Sequence, residues 1–186
     1  MSRDLVWKHT LECHSQIRSN LLDIISDYDQ INQCPDYVTK TDFHDNLESF
    51  PEYFNVLRQN LSPLWEEICR KYWTESIGIV RVWFQQYNNN DFHGWHFHGD
   101  SNISLSYFVE LDDAKYSTEF VDIQRKNTFQ IECGEGDVII FPSYIIHRSP
   151  LIRSDTRKTT IAINLNLVDV DLNKVSPIDP ISNYER

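Results

Sequence analysis

The sequence predicts a mainly β fold with N-terminal helices, on three observations. Apolar residues recur at helical spacing only between positions 14 and 72, runs rich in Val, Ile, Phe, Tyr and Thr take over from Ile77, and turn-forming pieces separate those runs. The first helix is expected over 14–28, where Ile17, Leu21, Ile24, Ile25 and Tyr28 form one stripe that must be buried against another element. A second helical region follows Pro51, with Phe54, Leu57, Leu61, Leu64, Ile68 and Tyr72 three or four apart and Pro63 placed to break or restart it. The polar stretch 29–50, which contains Pro35, reads as an irregular connection.

Strands are expected at 77–87, 94–98, 103–111, 117–123, 127–132, 137–142 and 158–168. Turn-rich pieces such as Asn88-Asn89-Asn90-Asp91 and Gly134-Glu135-Gly136-Asp137 divide them, a spacing that suggests a double-sheet or barrel-like core. After Val170, Pro177 and Pro180 among polar residues mark a tail. The 186 residues suffice for one well-buried core and are too few for two ordinary domains. The reading is therefore a single domain over 1–186, with a helical packing extension at 1–75, the β core at 76–170 and the tail at 171–186.

Charge narrows the partners. With 28 acids against 17 bases the formal net charge is −11, which opposes approach to a phosphate backbone or an anionic membrane, so no nucleic acid and no membrane partner is expected. No apolar run reaches the length of a membrane span and Met1 to Lys8 lacks the apolar stretch of a secretory signal, so a cytoplasmic location is expected. Cys13, Cys34, Cys69 and Cys133 are widely spaced without a Cys-x-x-Cys pair and read as free thiols.

Chemistry concentrates in Phe92-His93-Gly94-Trp95-His96-Phe97-His98-Gly99-Asp100. Residues two apart on a strand share a face, so His96 and His98 can aim at one point. Imidazole nitrogen suits iron, zinc and similar metals, and a third ligand must come from elsewhere in the chain. His147 is the candidate, because it follows the apolar strand Val138–Pro142 that would carry it across the core. His9, His14 and His44 read as surface residues, and His93 and Trp95 as flanking residues that could line an entrance.

The stretch Tyr87 to Leu167 resembles the double-stranded β-helix (jelly-roll) core of the iron(II) and 2-oxoglutarate-dependent oxygenases, in the prolyl-hydroxylase-like branch. Four features carry the resemblance: Tyr87 nine residues before His96, Arg157 ten residues after His147, Thr159 completing Arg-x-Thr, and Gly136-Asp137-Val138-Ile139-Ile140-Phe141-Pro142 before the distal histidine. The resemblance implies an Fe(II) centre, 2-oxoglutarate as co-substrate, dioxygen, and a hydroxylated small-molecule or peptidyl product formed with succinate and CO2. Where the family places Asp or Glu, this sequence has His98. The third ligand is then either His98, in a three-histidine site favoured by the Tyr87 spacing, or Asp100, if the motif slides to His98-Gly99-Asp100.

The resemblance also assigns Arg157 to the far carboxylate of the keto acid, which a planar guanidinium can grip with two parallel hydrogen bonds. Thr159, Tyr87, Gln85 and Tyr107 are the further co-substrate contacts it suggests; Tyr107's hydroxyl needs a buried partner, such as a carboxylate. Two other readings stay open: a three-histidine cupin-like dioxygenase that does not use 2-oxoglutarate, and a β-sandwich binding or structural module. A homodimer is compatible with the sequence.

Overall fold

The strands divide between two antiparallel sheets in the computed structural model, which describes residues 3–28, 37–45, 49–153 and 155–174. Along the chain come β1 (Trp7–Thr10), α1 (His14–Ser26), β2 (Lys40–Thr41), α2 (Glu52–Arg58), α3 (Ser62–Tyr72), β3 (Thr74–Tyr87), β4 (His93–His96), β5 (Ile103–Glu110), β6 (Glu119–Asp122), β7 (Asn127–Phe129), β8 (Asp137–Pro142), β9 (His147–Ser149) and β10 (Lys158–Val170). The larger sheet has the order β1-β8-β5-β10-β3-β2 and the smaller β4-β9-β6-β7. This is the layout of a jelly roll, mainly β with its helices near the N-terminus.

Side-chain alternation splits the interior into two cores. One face of the larger sheet sends Val82, Phe84, Leu105, Tyr107, Val138, Ile140, Ile161 and Ile163 toward the helices, where Leu21, Ile25, Phe54, Leu57, Leu64 and Ile68 meet them. The opposite face sends Tyr87, Phe108, Ile139 and Phe141 toward the smaller sheet, where Phe120 stacks edge-on against Phe141 at 5.0 Å between centroids. His147 sits in this second layer, its ring 4.6 Å from that of Phe141 between centroids.

Pro63 separates two helices rather than kinking one: it lies in the first turn of α3, where its missing N–H leaves no bond unmade. Arg70 and Lys71 in the last turn of α3 suit the negative end of the helix dipole, and Trp73 turns the chain in a left-handed conformation (φ 49°) directly into β3. Three strands escaped the sequence pattern. β1 and β2 are short edge strands of ordinary composition, and β9 holds only His147, Arg148 and Ser149. β1 pairs with β8 through Trp7 to Ile140, so the first 75 residues contribute to the β core as well as packing helices on it.

Asp42 pins the connection between α1 and α2. Its carboxylate is buried and accepts the Tyr53 hydroxyl at 2.6 Å and the Phe84 N–H at 2.8 Å. Burial pushes its carboxyl up to about 6, against the opposing pull of the Tyr53 hydrogen bond. Asp42→Ala leaves two buried donors unpaired and is expected to cost about 3 kcal/mol, read as a lower urea midpoint at unchanged slope.

Cys13, Cys69 and Cys133 are free thiols, while Cys34 and Pro35, like the tail from residue 175, lie outside the described residues.

Candidate active site

β4 and β9 lie side by side in the smaller sheet with His96 directly opposite His147. Their rings approach to 4.2 Å between centroids. His98, one residue beyond His96's immediate neighbour, is held by its own N–H donating to the Ser143 carbonyl at 2.9 Å, and its ring lies 5.2 Å from both other imidazoles. One donor atom from each of the three falls within 4.8 Å of the others, near enough for a single metal ion. Asp100 is exposed and stands outside this group, so the described geometry gathers three histidines rather than two and a carboxylate.

Hydrogen bonds set which nitrogen faces the centre. The Nδ1 atoms of His96 and His147 lie 2.8 Å from the Gly94 carbonyl and 2.9 Å from the Ile145 carbonyl. A carbonyl only accepts, so both Nδ1 atoms carry the proton and both Nε2 atoms keep a lone pair for a metal. Burial, followed by the nearby His96 charge, lowers His98 to about 4 and His147 well below the ordinary histidine range. His98 and His147 are thus neutral at neutral pH, the form that a metal requires.

The cavity beside this cluster is lined from both sheets. From β3 come Trp83, Gln85 and Tyr87; from β10 come Lys158, Thr160, Ala162 and Asn164; Ser149 and Thr118 add polar groups opposite. Gln85 bonds the ring of His93 at 3.1 Å, and His93 in turn stacks on His96 at 4.1 Å. Tyr87 and Gln85, the co-substrate contacts that the resemblance suggests, thus both line this cavity.

Arg157, Thr159 and Tyr107 do not. Each lies on the opposite face of its strand: Arg157 is exposed and gives two hydrogen bonds to Glu110, from Nε at 2.7 Å and Nη2 at 3.0 Å. Thr159 is fully buried on that same outer side and also donates to Glu110. Burial works against the Glu110 charge, but the hydrogen bonds from Arg157 and Thr159 outweigh it and hold the carboxyl below its usual value. Tyr107 packs in the helix-facing core, where its hydroxyl meets His14 Nδ1 at 2.8 Å instead of a carboxylate in the cavity. His14 is accordingly a half-buried structural group rather than a surface residue.

The expectation failed by one residue of strand parity. Arg157 and Thr159 share a face with Ile161 and Ile163, and that face belongs to the helices; the cavity receives the alternate set, beginning with Lys158. Lys158 is buried, with its Nζ donating to Ser149 Oγ at 2.8 Å and lying 5.0 Å from the Tyr87 ring centre. Burial pushes its ammonium down to about 7, and among the described residues no carboxylate pairs with it. A buried cation without a counter-charge is costly, and the cost falls when an anion enters.

Fold and cavity together define a jelly roll with a candidate metal centre and a buried cationic pocket beside it. A family model described as "Putative 2OG-Fe(II) oxygenase" matches residues 81–164. The structure is similar to an oxidoreductase of the 2OG-Fe(II) oxygenase family from Burkholderia pseudomallei, at 15% identity and a TM-score of 0.54 over 66% of this chain; the match spans 61% of that protein's length. It is also similar to the viral collagen prolyl hydroxylase of Paramecium Bursaria Chlorella virus-1, at 12% identity and a TM-score of 0.62 over 88% of this chain and 97% of that one. HygX from Streptomyces hygroscopicus, whose structure holds nickel, 2-oxoglutarate and hygromycin B, aligns at 8% identity and a TM-score of 0.64 over 88% and 83% of the two chains. No curated protein matches the sequence. Residues 81–164 are thus similar to the 2OG-Fe(II) oxygenase family, and the chain shares its fold with solved members of that family. No helix among the described residues is long and apolar enough to cross a membrane.

Proposed function

We propose that this protein is an Fe(II)- and 2-oxoglutarate-dependent dioxygenase that hydroxylates a small molecule or a peptidyl side chain, with His96, His98 and His147 as the metal ligands and Lys158 as the anchor of the keto acid. The observation that carries the reading is Lys158: a buried ammonium with no carboxylate partner among the described residues, lining the same cavity as the three imidazoles. The donor set suits a ferrous ion, because imidazole binds iron well and both Nδ1 atoms are already committed to backbone carbonyls. When bound, Fe(II) and 2-oxoglutarate would supply the oxidising chemistry with dioxygen, one oxygen atom of which ends in succinate as CO2 leaves the keto acid and the other in the hydroxylated substrate.

The chain's own residues bind, orient and exclude water. Lys158 and Ser149 receive the far carboxylate of the keto acid, and the Tyr87 ring beneath the ammonium keeps that end of the cavity dry. Gln85 holds His93 stacked against His96, which restrains the first ligand. The exposed aromatic rings of Trp95 and Phe97 lie next to the ligands in the chain and give a substrate apolar surface at the entrance. The acidic balance of the chain favours a neutral or cationic substrate over nucleic acid.

The direct test is succinate formation from 2-oxoglutarate under air with added Fe(II), scored with candidate substrates for turnover above the uncoupled rate. Succinate formation that depends on the iron supports the reading; none with any iron loading favours a three-histidine dioxygenase that does without the keto acid.

The keto acid's affinity should also depend on pH. Free Lys158 loses its proton as pH rises through about 7, whereas a bound carboxylate holds the proton in place. Affinity is therefore flat below pH 7 and weakens by up to about tenfold per pH unit above it, until the bound ammonium itself titrates. Calorimetric titration of 2-oxoglutarate into Mn(II)-loaded protein between pH 6 and 9 measures this, and a constant affinity across that range contradicts the role given to Lys158.

A further inference from the structure

Lys158 stands between two residues that a single carboxylate holds. Glu110, the last residue of β5, accepts Arg157 Nε and Nη2 at 2.7 and 3.0 Å and also accepts the Thr159 hydroxyl. Thr159 Oγ1 is gripped from the other neighbouring strand as well, by Gln86 Nε2 at 3.2 Å. Positions 157 and 159 are thus clamped on the outer face of β10, and strand alternation then sends 158 into the cavity.

The local backbone makes such a clamp necessary. Between Thr159 and Thr160 the pairing of β10 with β5 slips: Thr159 stands opposite Glu110 and Thr160 opposite Phe108, which leaves Val109 as an extra residue. Extra residues of this kind loosen the ladder and re-aim side chains. They do so here at the first residues of a strand, where fraying is easiest. A buried ammonium without an anion also gains solvation by swinging out, so something must oppose that motion before the keto acid arrives. The Glu110 side chain is only 12% exposed and takes both arms of a guanidinium fork together with a fully buried hydroxyl, which sets it apart from an ordinary surface ion pair.

We infer that Glu110 is a positioning residue for the co-substrate pocket: by holding Arg157 and Thr159 on the outside of the sheet, it keeps Lys158 aimed at the far carboxylate of 2-oxoglutarate. The inference rests on the proposed role of Lys158. Arg157 then serves the keto acid through Glu110 and without touching it.

The test measures affinity of the Mn(II)-loaded protein for 2-oxoglutarate and for 2-oxobutyrate, a keto acid with the same chelating end and no far carboxylate. Glu110→Ala is expected to weaken 2-oxoglutarate roughly tenfold while leaving 2-oxobutyrate within about twofold of wild type. Glu110→Gln, which can still accept from Thr159, recovers most of the loss. Arg18→Ala removes the other cation near Glu110, at 3.5 Å, without touching residues 157–159, and leaves both affinities unchanged. Should Glu110→Ala not fold, Glu110→Gln and Arg157→Ala carry the test, the latter expected to weaken 2-oxoglutarate alone by a few-fold. Wild-type affinity in the Glu110 and Arg157 variants, or an equal loss for both keto acids, overturns the inference. If Lys158→Met keeps wild-type affinity for 2-oxoglutarate, the underlying reading of the pocket fails instead.

Discussion

Lys158→Met is expected to abolish 2-oxoglutarate-dependent turnover and at the same time to raise the stability of the ligand-free protein. Loss of function follows because no other cation is free to replace it: Arg157 points outward to Glu110, and Arg148, which also lines the cavity, is paired with Glu119 at 2.7 Å and lies over the Trp95 ring. The gain in stability follows from the depressed ammonium. In the unfolded chain Lys158 stays protonated until the ordinary lysine range, whereas in the folded chain it gives up its proton near pH 7. Between those values the unfolded state binds more protons, so stability rises with pH across that window and the penalty on the folded state is greatest at pH 7 and below. Replacing the ammonium with an apolar side chain of similar length removes a penalty on the order of a few kcal/mol there, and the advantage shrinks toward pH 10. Urea unfolding at pH 6.5 and pH 9.5 reads both halves of the prediction. A variant less stable than wild type at the lower pH contradicts it.

His147→Ala is the second large effect. His147 lies opposite His96 across β4 and β9, and it is the most buried of the three imidazoles. Its loss leaves two nitrogens for an ion that needs at least three protein ligands to remain fixed. Affinity for Fe(II), measured anaerobically by competition with a chromophoric chelator, should fall by more than about a hundredfold, beyond the loss typical of a supporting residue, and succinate formation should stop. His98→Ala should behave in the same way, because its ring supplies the third donor atom of the cluster. Asp100→Ala, in contrast, should leave affinity within about twofold, since that side chain is exposed and outside the cluster. Strong loss in Asp100→Ala together with tolerance of His98→Ala would reverse the assignment of the third ligand.

Much of the architecture was legible because period and composition agree along the chain. Apolar spacing located α1, and Pro63 marked the restart at α3. Val-, Ile- and Tyr-rich runs located β3, β5, β8 and β10 to within a few residues. β1 and β2 were not legible, since an edge strand of four residues or two has no periodicity to read. The cluster of His96, His98 and His147 could be proposed from spacing alone because strand alternation and a return strand bring such positions together.

Lys158 was missed for a definite physical reason. Alternation along β10 separates Arg157, Thr159, Ile161 and Ile163 from Lys158, Thr160, Ala162 and Asn164, but it does not say which set faces which layer. The apolar set belongs with the helices, which need Ile161 and Ile163 as partners, and the small and polar set lines the cavity. That contrast was present in the sequence, and an arginine at a family-like spacing masked it. Tyr107 follows the same rule: it shares its face with Ile103, Leu105 and Val109 in the helix-facing core, while Ser104 and Ser106 line the cavity.

The measurement closest to the central claim is a titration of 2-oxoglutarate into the protein under nitrogen, with and without Ni(II), in wild type and in Lys158→Met. One site per chain that requires the metal and disappears in the variant is the predicted result. Binding that is indifferent to the metal, or equally tight when Lys158 is replaced, would show that the imidazoles and the buried ammonium do not hold a common ligand.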